Sequence, residues 1–276
     1  QTALAATEQE LSTGKTINEP SDNPYGAALA VQLNGQLSQL SDYSNSIVDG
    51  QAWTQTATSA LNSIQQQVQR TQELVTEAGN GTMSPSDLAD LGQEVGQIIA
   101  SIKTDANTQY NGQYVFSGTS TSTPPYDSSG NYVGSTSMVT REIGPGASAT
   151  VSVDLSSALG TSSSTGLLST LQSIYNQLTT GSGTSALNTT DLSALKTGLD
   201  SLSSLQASLG ASTDQMTMAA GTISDMQTSV TSDLSNDEDA NMASTMTTYS
   251  NEQAAFTAAL KAGASIVQTS LLDFLK

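Results

Sequence analysis

The densest cluster of potential metal ligands is Asp237-Glu238-Asp239, whose oxygen donors would suit a hard cation. Such cations need ligands spread around a sharp turn, and three consecutive carboxylates lack that spread. Asp127-Ser128-Ser129-Gly130-Asn131 has turn residues but not the spacing of a calcium loop. The acidic triplet is therefore expected to cap a helix, starting one at Ser235-Asn236-Asp237-Glu238-Asp239, where the dipole favours negative charge. The chain contains no His and no Cys. The commonest general base and metal ligand is thus missing, and thiolate catalysis, Cys-bound zinc and disulfides are excluded. Gly144-Pro145-Gly146 is no phosphate loop, because no Lys follows and no helix opens there. Paired carboxylates for glycoside hydrolysis have no recognisable context. Asn80-Gly81-Thr82 and Asn188-Thr189-Thr190 match the glycosylation acceptor pattern, which chance alone produces often in a chain rich in Asn and Thr. The lone Trp53 reads as a packing residue. No catalytic residue, cofactor or metal is assigned, and the chain is expected not to be an enzyme.

Charge narrows the class of partner. Seven basic residues face 25 acidic ones, for a net charge of -18. Nucleic acid and anionic membrane surfaces both require a basic face. No stretch approaches the roughly 18 apolar residues of a membrane helix, so no membrane insertion is expected. Gln1 opens inside what already reads as helix, and secretion without a cleaved signal peptide is expected. Leu, Ile, Val and Phe make up only about one residue in five, so an isolated monomer buries little apolar surface and is marginally stable.

The elements that would position any site are helices, and their signal lies at both ends. Leu33, Leu40, Ile47, Thr54, Leu61, Val68 and Val75 recur every seven residues, with Tyr43, Ala57, Ile64 and Ala78 three positions after members of the row. This predicts a helix from about Pro24 to Ala78, roughly 80 Å long at 1.5 Å per residue. A compact domain of this chain length is only about 50 Å across, so at least part of the molecule is expected to be a rod. Asn23 and Pro24 should start the helix and Gly79-Asn80-Gly81 should stop it. Ser84-Pro85-Ser86-Asp87 predicts a boxed start for a second, antiparallel helix carrying Leu88, Leu91, Val95, Ile98 and Ile102. Toward the other end, Leu202, Leu209, Met216, Ile223 and Val230 repeat every seven residues, with Leu205, Ala219 and Met226 as a companion column. A last seam runs through Met246, Tyr249, Phe256, Leu260, Val267 and Phe274.

Between the ends the pattern changes. Gln113–Phe116, Thr140–Ile143 and Ala149–Val153 read as strands around turns at Asp127-Ser128-Ser129-Gly130 and Gly144-Pro145-Gly146. A short helix from Leu167 to Leu178 follows, then a linker at Gly181-Ser182-Gly183. The fold class is mainly α: an elongated antiparallel helical bundle or coiled coil built by both chain ends, with a small α+β domain inserted. Boundaries are expected at 1–23, 24–107, 108–189, 190–235 and 236–276.

Leu11-Ser12-Thr13-Gly14-Lys15-Thr16-Ile17-Asn18-Glu19-Pro20-Ser21-Asp22-Asn23-Pro24 resembles the N-terminal signature of flagellins and hook-associated proteins, L-S-[ST]-G-K-R-I-x-x-P-S-D-D-P. Thr16 replaces the usual Arg and Asn23 the usual second Asp, and both changes keep the turn-and-cap logic. Val68-Gln69-Arg70-Thr71-Gln72-Glu73-Leu74 and the ending Ser270-Leu271-Leu272-Asp273-Phe274-Leu275 are similar to the same superfamily. Within it, Asn111-Gly112-Gln113-Tyr114-Val115-Phe116-Ser117-Gly118, then Thr123-Pro124-Pro125-Tyr126 and Arg141-Glu142-Ile143-Gly144-Pro145-Gly146, resembles the subunits joining hook to filament more than filament flagellins. A filament-forming flagellin is the alternative.

The resemblance implies an extracellular structural part of the bacterial flagellum. In that family the terminal helices line an inner tube and the middle domain faces outward. Residues 1–23 and 236–276 would then form the inner layer, and 108–189 the outer domain. The partners implied are like subunits, other hook-associated proteins and flagellin, through head-to-tail contacts that build helical arrays. Leu33, Leu40, Ile47, Leu61, Val68, Val75, Leu209, Met216, Ile223 and Val230 would carry assembly and packing. Met246, Tyr249, Phe256, Leu260, Val267 and Phe274 would offer an apolar stripe to an export chaperone before assembly. A glycan-binding or enzymatic role for the outer domain is the third reading.

Overall fold

The computed structural model describes residues 2–81, 83–162, 165–181 and 186–274, the side chains of 188 and 265–274 apart. The chain is mainly α-helical. Seven helices are described: α1 (Thr2–Thr13), α2 (Pro24–Ala78), α3 (Pro85–Ala106), the single turn α4 (Ser156–Leu159), α5 (Gly166–Thr180), α6 (Leu192–Glu238) and α7 (Met242–Phe274). Two antiparallel hairpins lie between α3 and α4: β1 (Gln109–Tyr110) with β2 (Gln113–Tyr114), and β3 (Thr140–Gly144) with β4 (Ala147–Thr150). Two compact units result, Gln1–Asp42 with Ser224–Lys276, and Tyr43–Ile223.

Local chemistry sets the element ends. Asn23 Oδ1 accepts the Gly26 N–H at 3.1 Å, and Pro24 occupies the first helical position of α2. At the other end the Gly79 N–H bonds the Val75 carbonyl, and Gly81 takes φ +70°. Ser84 and Asp87 exchange side-chain and backbone hydrogen bonds at the start of α3, a reciprocal box that satisfies two free donors. A π-helical turn, Leu187–Asp191, leads into α6.

Within unit Tyr43–Ile223, α2 and α6 run antiparallel. Gln51 bonds Thr217, Thr213 bonds Thr54, Gln206 bonds Asn62 and Gln65 bonds Ser203. As numbers rise on one helix they fall on the other, which fixes the register. That register sets Ile47 level with Ile223, Thr54 with Met216, Leu61 with Leu209, Val68 with Leu202 and Val75 with Leu195. All of these side chains are buried. Thr54, the polar member of the row, keeps its hydroxyl satisfied: it donates to the Gln51 carbonyl at 3.0 Å and accepts from Thr213 at 3.2 Å.

α3 folds back along α2. Arg70 bonds Glu94, Gln67 bonds Ser101, and Asp105 accepts from both Ser63 and Gln67. Its other face receives α5, and glycines permit the approach. A Cβ on Gly92 would lie 2.7 Å from the Thr179 methyl, and one on Gly96 3.1 Å from the Tyr175 ring.

Several expectations change. The strands are shorter than read: Val115 and Phe116 leave β2, and Val151–Val153 leave β4. In the first case α3 runs to Ala106, so β1 offers only Gln109–Tyr110 for pairing, and Asn111-Gly112 turns the chain straight back. Both residues take positive φ, 48° and 77°. They form a two-residue hairpin loop, a tight return that alternation alone did not reveal. In the companion column of α6, Leu205 and Ala219 are half-buried and Met226 is exposed, since one neighbouring helix covers a narrow stripe. The expected linker at Gly181-Ser182-Gly183 lies, beyond Gly181, outside the described residues.

Candidate assembly site and the joint of the chain ends

In unit Gln1–Asp42 with Ser224–Lys276, the N-terminal signature ties the two chain ends together. Gly14 closes α1 in the left-handed region at φ +72°, and its carbonyl accepts the Ala240 N–H at 2.8 Å. Lys15 forms an ion pair with Glu238, whose side chain is only 11% exposed. The Thr16 N–H and hydroxyl both donate to the Glu238 carbonyl, at 2.6 and 3.0 Å. Ile17 is buried, and its Cδ1 would meet a Cβ placed on Gly26 at 2.5 Å. Asp22 accepts the N–H groups of Asn18 and Glu19 at 3.0 and 2.8 Å, folding the loop before α2.

These contacts correct the reading of Ser235–Asp239 as a helix start. α6 continues through Glu238, and α7 begins at Met242 behind an Asn241 cap whose Oδ1 accepts the Ser244 N–H at 3.2 Å. Carboxylates at a helix C-terminus oppose the dipole. Here Lys15 offsets the Glu238 charge, Thr16 saturates the terminal carbonyl, and the Ser235 hydroxyl bonds Asp239. The compensating groups come from the opposite end of the chain, so no local window could announce them. Lys15→Ala is expected to destabilise this unit by about 1–2 kcal/mol, because Glu238 loses a charge-assisted partner in a half-buried place. Faster hydrogen exchange at the Thr16 and Ala240 amides would report the loosened joint.

α1 and α7 pack against each other. Thr7 donates to Glu252 at 2.9 Å, and Tyr249 donates to Glu8 at 3.2 Å. The covered stripe of α7 is Thr245, Tyr249, Glu252 and Phe256. The expected apolar stripe therefore divides: Tyr249 and Phe256 face inward, whereas Met246 and Leu260 stand 65% and 58% exposed. Val267 and Phe274 lie in α7, with side chains outside the described set. The ten residues expected to carry assembly and packing are all buried within their own chain: Leu33, Leu40 and Val230 in this unit, and Ile47, Leu61, Val68, Val75, Leu209, Met216 and Ile223 in the other.

The inserted segment is fastened to the helices of its own unit by polar clamps. Asn107, at the end of α3, grips the Tyr126 backbone by donating to its carbonyl at 3.1 Å and accepting its N–H at 3.0 Å. The Tyr126 hydroxyl donates to the Gly160 carbonyl at 2.9 Å, and burial pushes its pKa far above the usual phenol value. Burial also raises Tyr132 to about 12. Arg141 bonds Asp49 at 2.9 Å and lies 5.6 Å over the fully buried Trp53 ring, which meets Tyr110 edge-on. Asn107→Ala should cost about 1–3 kcal/mol in thermal unfolding, because two backbone groups of Tyr126 lose their partners.

The candidate chemical motifs are used up structurally. Asp127 accepts the backbone and side-chain N–H groups of Asn131, which hold its carboxyl below the usual range. Among the described residues no group of three or more His, Cys, Asp or Glu could hold a metal ion. None of their helices is long and apolar enough to cross a membrane. Asn80 is exposed at the end of α2; Thr82 of its acceptor pattern, and the Asn188 side chain, lie outside the described residues.

Long helices paired through heptad rows, a signature loop clasping the opposite chain end, and a small inserted domain make up the fold that positions these contacts. Residues 1–121 match the bacterial flagellin N-terminal helical region. The sequence is similar to flagellar hook-associated protein 3 of Escherichia coli, 26% identical over 97% of this chain and 92% of that protein. Its Salmonella typhimurium counterpart is 34% identical over 49% of this chain, and the match spans 43% of that protein's length. A phase 1 flagellin of Salmonella naestved is 36% identical over 42% of this chain but only 23% of the flagellin. In structure, a flagellar hook-associated protein of Vibrio parahaemolyticus shares the fold, with a TM-score of 0.74 over 79% of this chain and all of that one, at 17% identity.

Proposed function

We propose that this chain is a structural axial component of the bacterial flagellum, a junction subunit that connects hook to filament. The observation that carries this reading is the extent of similarity. The match to hook-associated protein 3 of Escherichia coli runs through 97% of this chain, insertion included, whereas the flagellin match covers 42% of it. The mechanism is mechanical rather than chemical. Residues 1–23 and 236–276 form the inner layer, 24–107 and 190–235 the helical body, and 108–189 the outer domain. Like subunits, other hook-associated proteins and flagellin are its neighbours in the extracellular axis.

The buried heptad rows act inside the subunit, and exposed side chains must do the docking. Met242, Met246 and Leu260 leave large apolar surface uncovered on α7, the kind of helix face that a groove-bearing export chaperone takes up. Deleting the gene should leave cells immotile, with bare hooks and flagellin released into the medium, and a plasmid copy should restore filaments. Filaments still attached in the deletion strain would overturn the proposal. Long fibres grown from this chain alone would favour the flagellin alternative.

A further inference from the structure

The chain carries three Asn-Gly dipeptides, at Asn34, Asn80 and Asn111. Each has the composition that permits intramolecular attack of a backbone nitrogen on an asparagine side chain, because glycine places no Cβ in the way. The fold gives the three very different surroundings. Asn34-Gly35 lies inside α2, where the helix fixes the backbone, and Asn34 Nδ2 donates to the Ala30 carbonyl at 2.8 Å. Asn111-Gly112 forms the tight loop between Tyr110 and Gln113, with both residues in the left-handed region. Asn80-Gly81 sits just past the end of α2. Asn80 is exposed, and a Cβ on Gly81 would meet nothing within 4 Å. Its backbone N–H makes a 3.3 Å bond to the Glu77 carbonyl, and its side chain has no hydrogen-bond partner among the described residues.

We propose that Asn80 is a site of spontaneous deamidation, and that the fold suppresses the same reaction at Asn34 and Asn111. The Gly81 backbone nitrogen attacks Asn80 Cγ and a C–N bond forms. The Cγ–Nδ2 bond breaks, and ammonia leaves with the displaced proton. Water then opens the cyclic imide at either carbonyl, giving aspartate or isoaspartate at this position. The product adds a carboxylate to an open groove of about 650 Å³ that Glu73 and Glu77 already line beside Asn80. The new charge also sits at the C-terminus of α2, where the helix dipole disfavours it.

The test is peptide mapping by mass spectrometry of the full chain aged at mildly alkaline pH, with isoaspartate scored by enzymatic methylation. Asn80 should convert at least about tenfold faster than Asn34 or Asn111, since a rigid backbone holds both of those out of attack geometry. In concentrated urea the three rates should converge. Asn80→Gln should abolish the fast event without changing the other two. Equal native rates would overturn the proposal, and so would a contrast that survives in urea, because the fold would then not be its cause.

Discussion

Leu61→Asp is expected to cost at least about 4 kcal/mol and to abolish motility, since an ionised or neutral carboxyl there has no partner. Leu61 is fully buried, and the α2–α6 register sets it level with Leu209, which is 1% exposed. The nearest buried polar side chain of the row, Thr54, is already satisfied and one heptad away. Leu61→Ala is the milder companion, with a loss of about 2–5 kcal/mol from lost transfer energy and a residual cavity. Urea unfolding followed by the lone Trp53 would read both, because Trp53 lies two turns earlier on the same helix. A Leu61→Asp chain with wild-type stability would mean that the two helices do not share this layer.

The second large effect is expected at Gly118. It takes φ +56°, and a Cβ there would overlap the Ser135 carbonyl oxygen and stand 2.6 Å from that of Ser137. Neither neighbour is a flexible side chain. The Ser135 N–H bonds the Ser117 carbonyl, the Thr119 N–H bonds the Ser137 carbonyl, and Tyr132 donates to the carbonyls of both Phe116 and Ser135. Gly118→Ala should therefore lower stability by about 3 kcal/mol or more, combining left-handed strain with a backbone clash. Gly146→Ala separates the two contributions. Gly146 has φ +70° with nothing within 4 Å of its would-be Cβ, so only the conformational cost of about 1–2 kcal/mol remains. Equal losses at both positions would show that the clash is relieved by movement of the 135–137 segment.

What the sequence disclosed, and what it hid, follows from the range of each interaction. Heptad rows are local and repetitive, so the buried faces of α2 and α6 could be read directly, and Asn23-Pro24 and Ser84–Asp87 announce their helix starts within four residues. The register between the helices is different, because it depends on pairs such as Gln65 with Ser203, far apart in the chain. Leu195 is hard to read for a related reason. It extends the α6 row by one heptad beyond Leu202, into a stretch where glycine and polar residues mask the period. The end of α6 is illegible locally because Lys15 and Thr16 neutralise the Glu238 terminus from more than two hundred residues away. Asn111-Gly112 carries a local signal for the β1–β2 loop that strand alternation does not contain.

The central claim is that the chain occupies the boundary between hook and filament. The sequence has no Cys, so Thr136→Cys, in an exposed stretch of the insertion, gives a unique thiol for a gold-bearing maleimide. Electron microscopy of labelled flagella from a complemented deletion strain should show one narrow band of gold where the hook meets the filament. Gold spread along the filament length would contradict the account and identify the chain as the filament's own subunit.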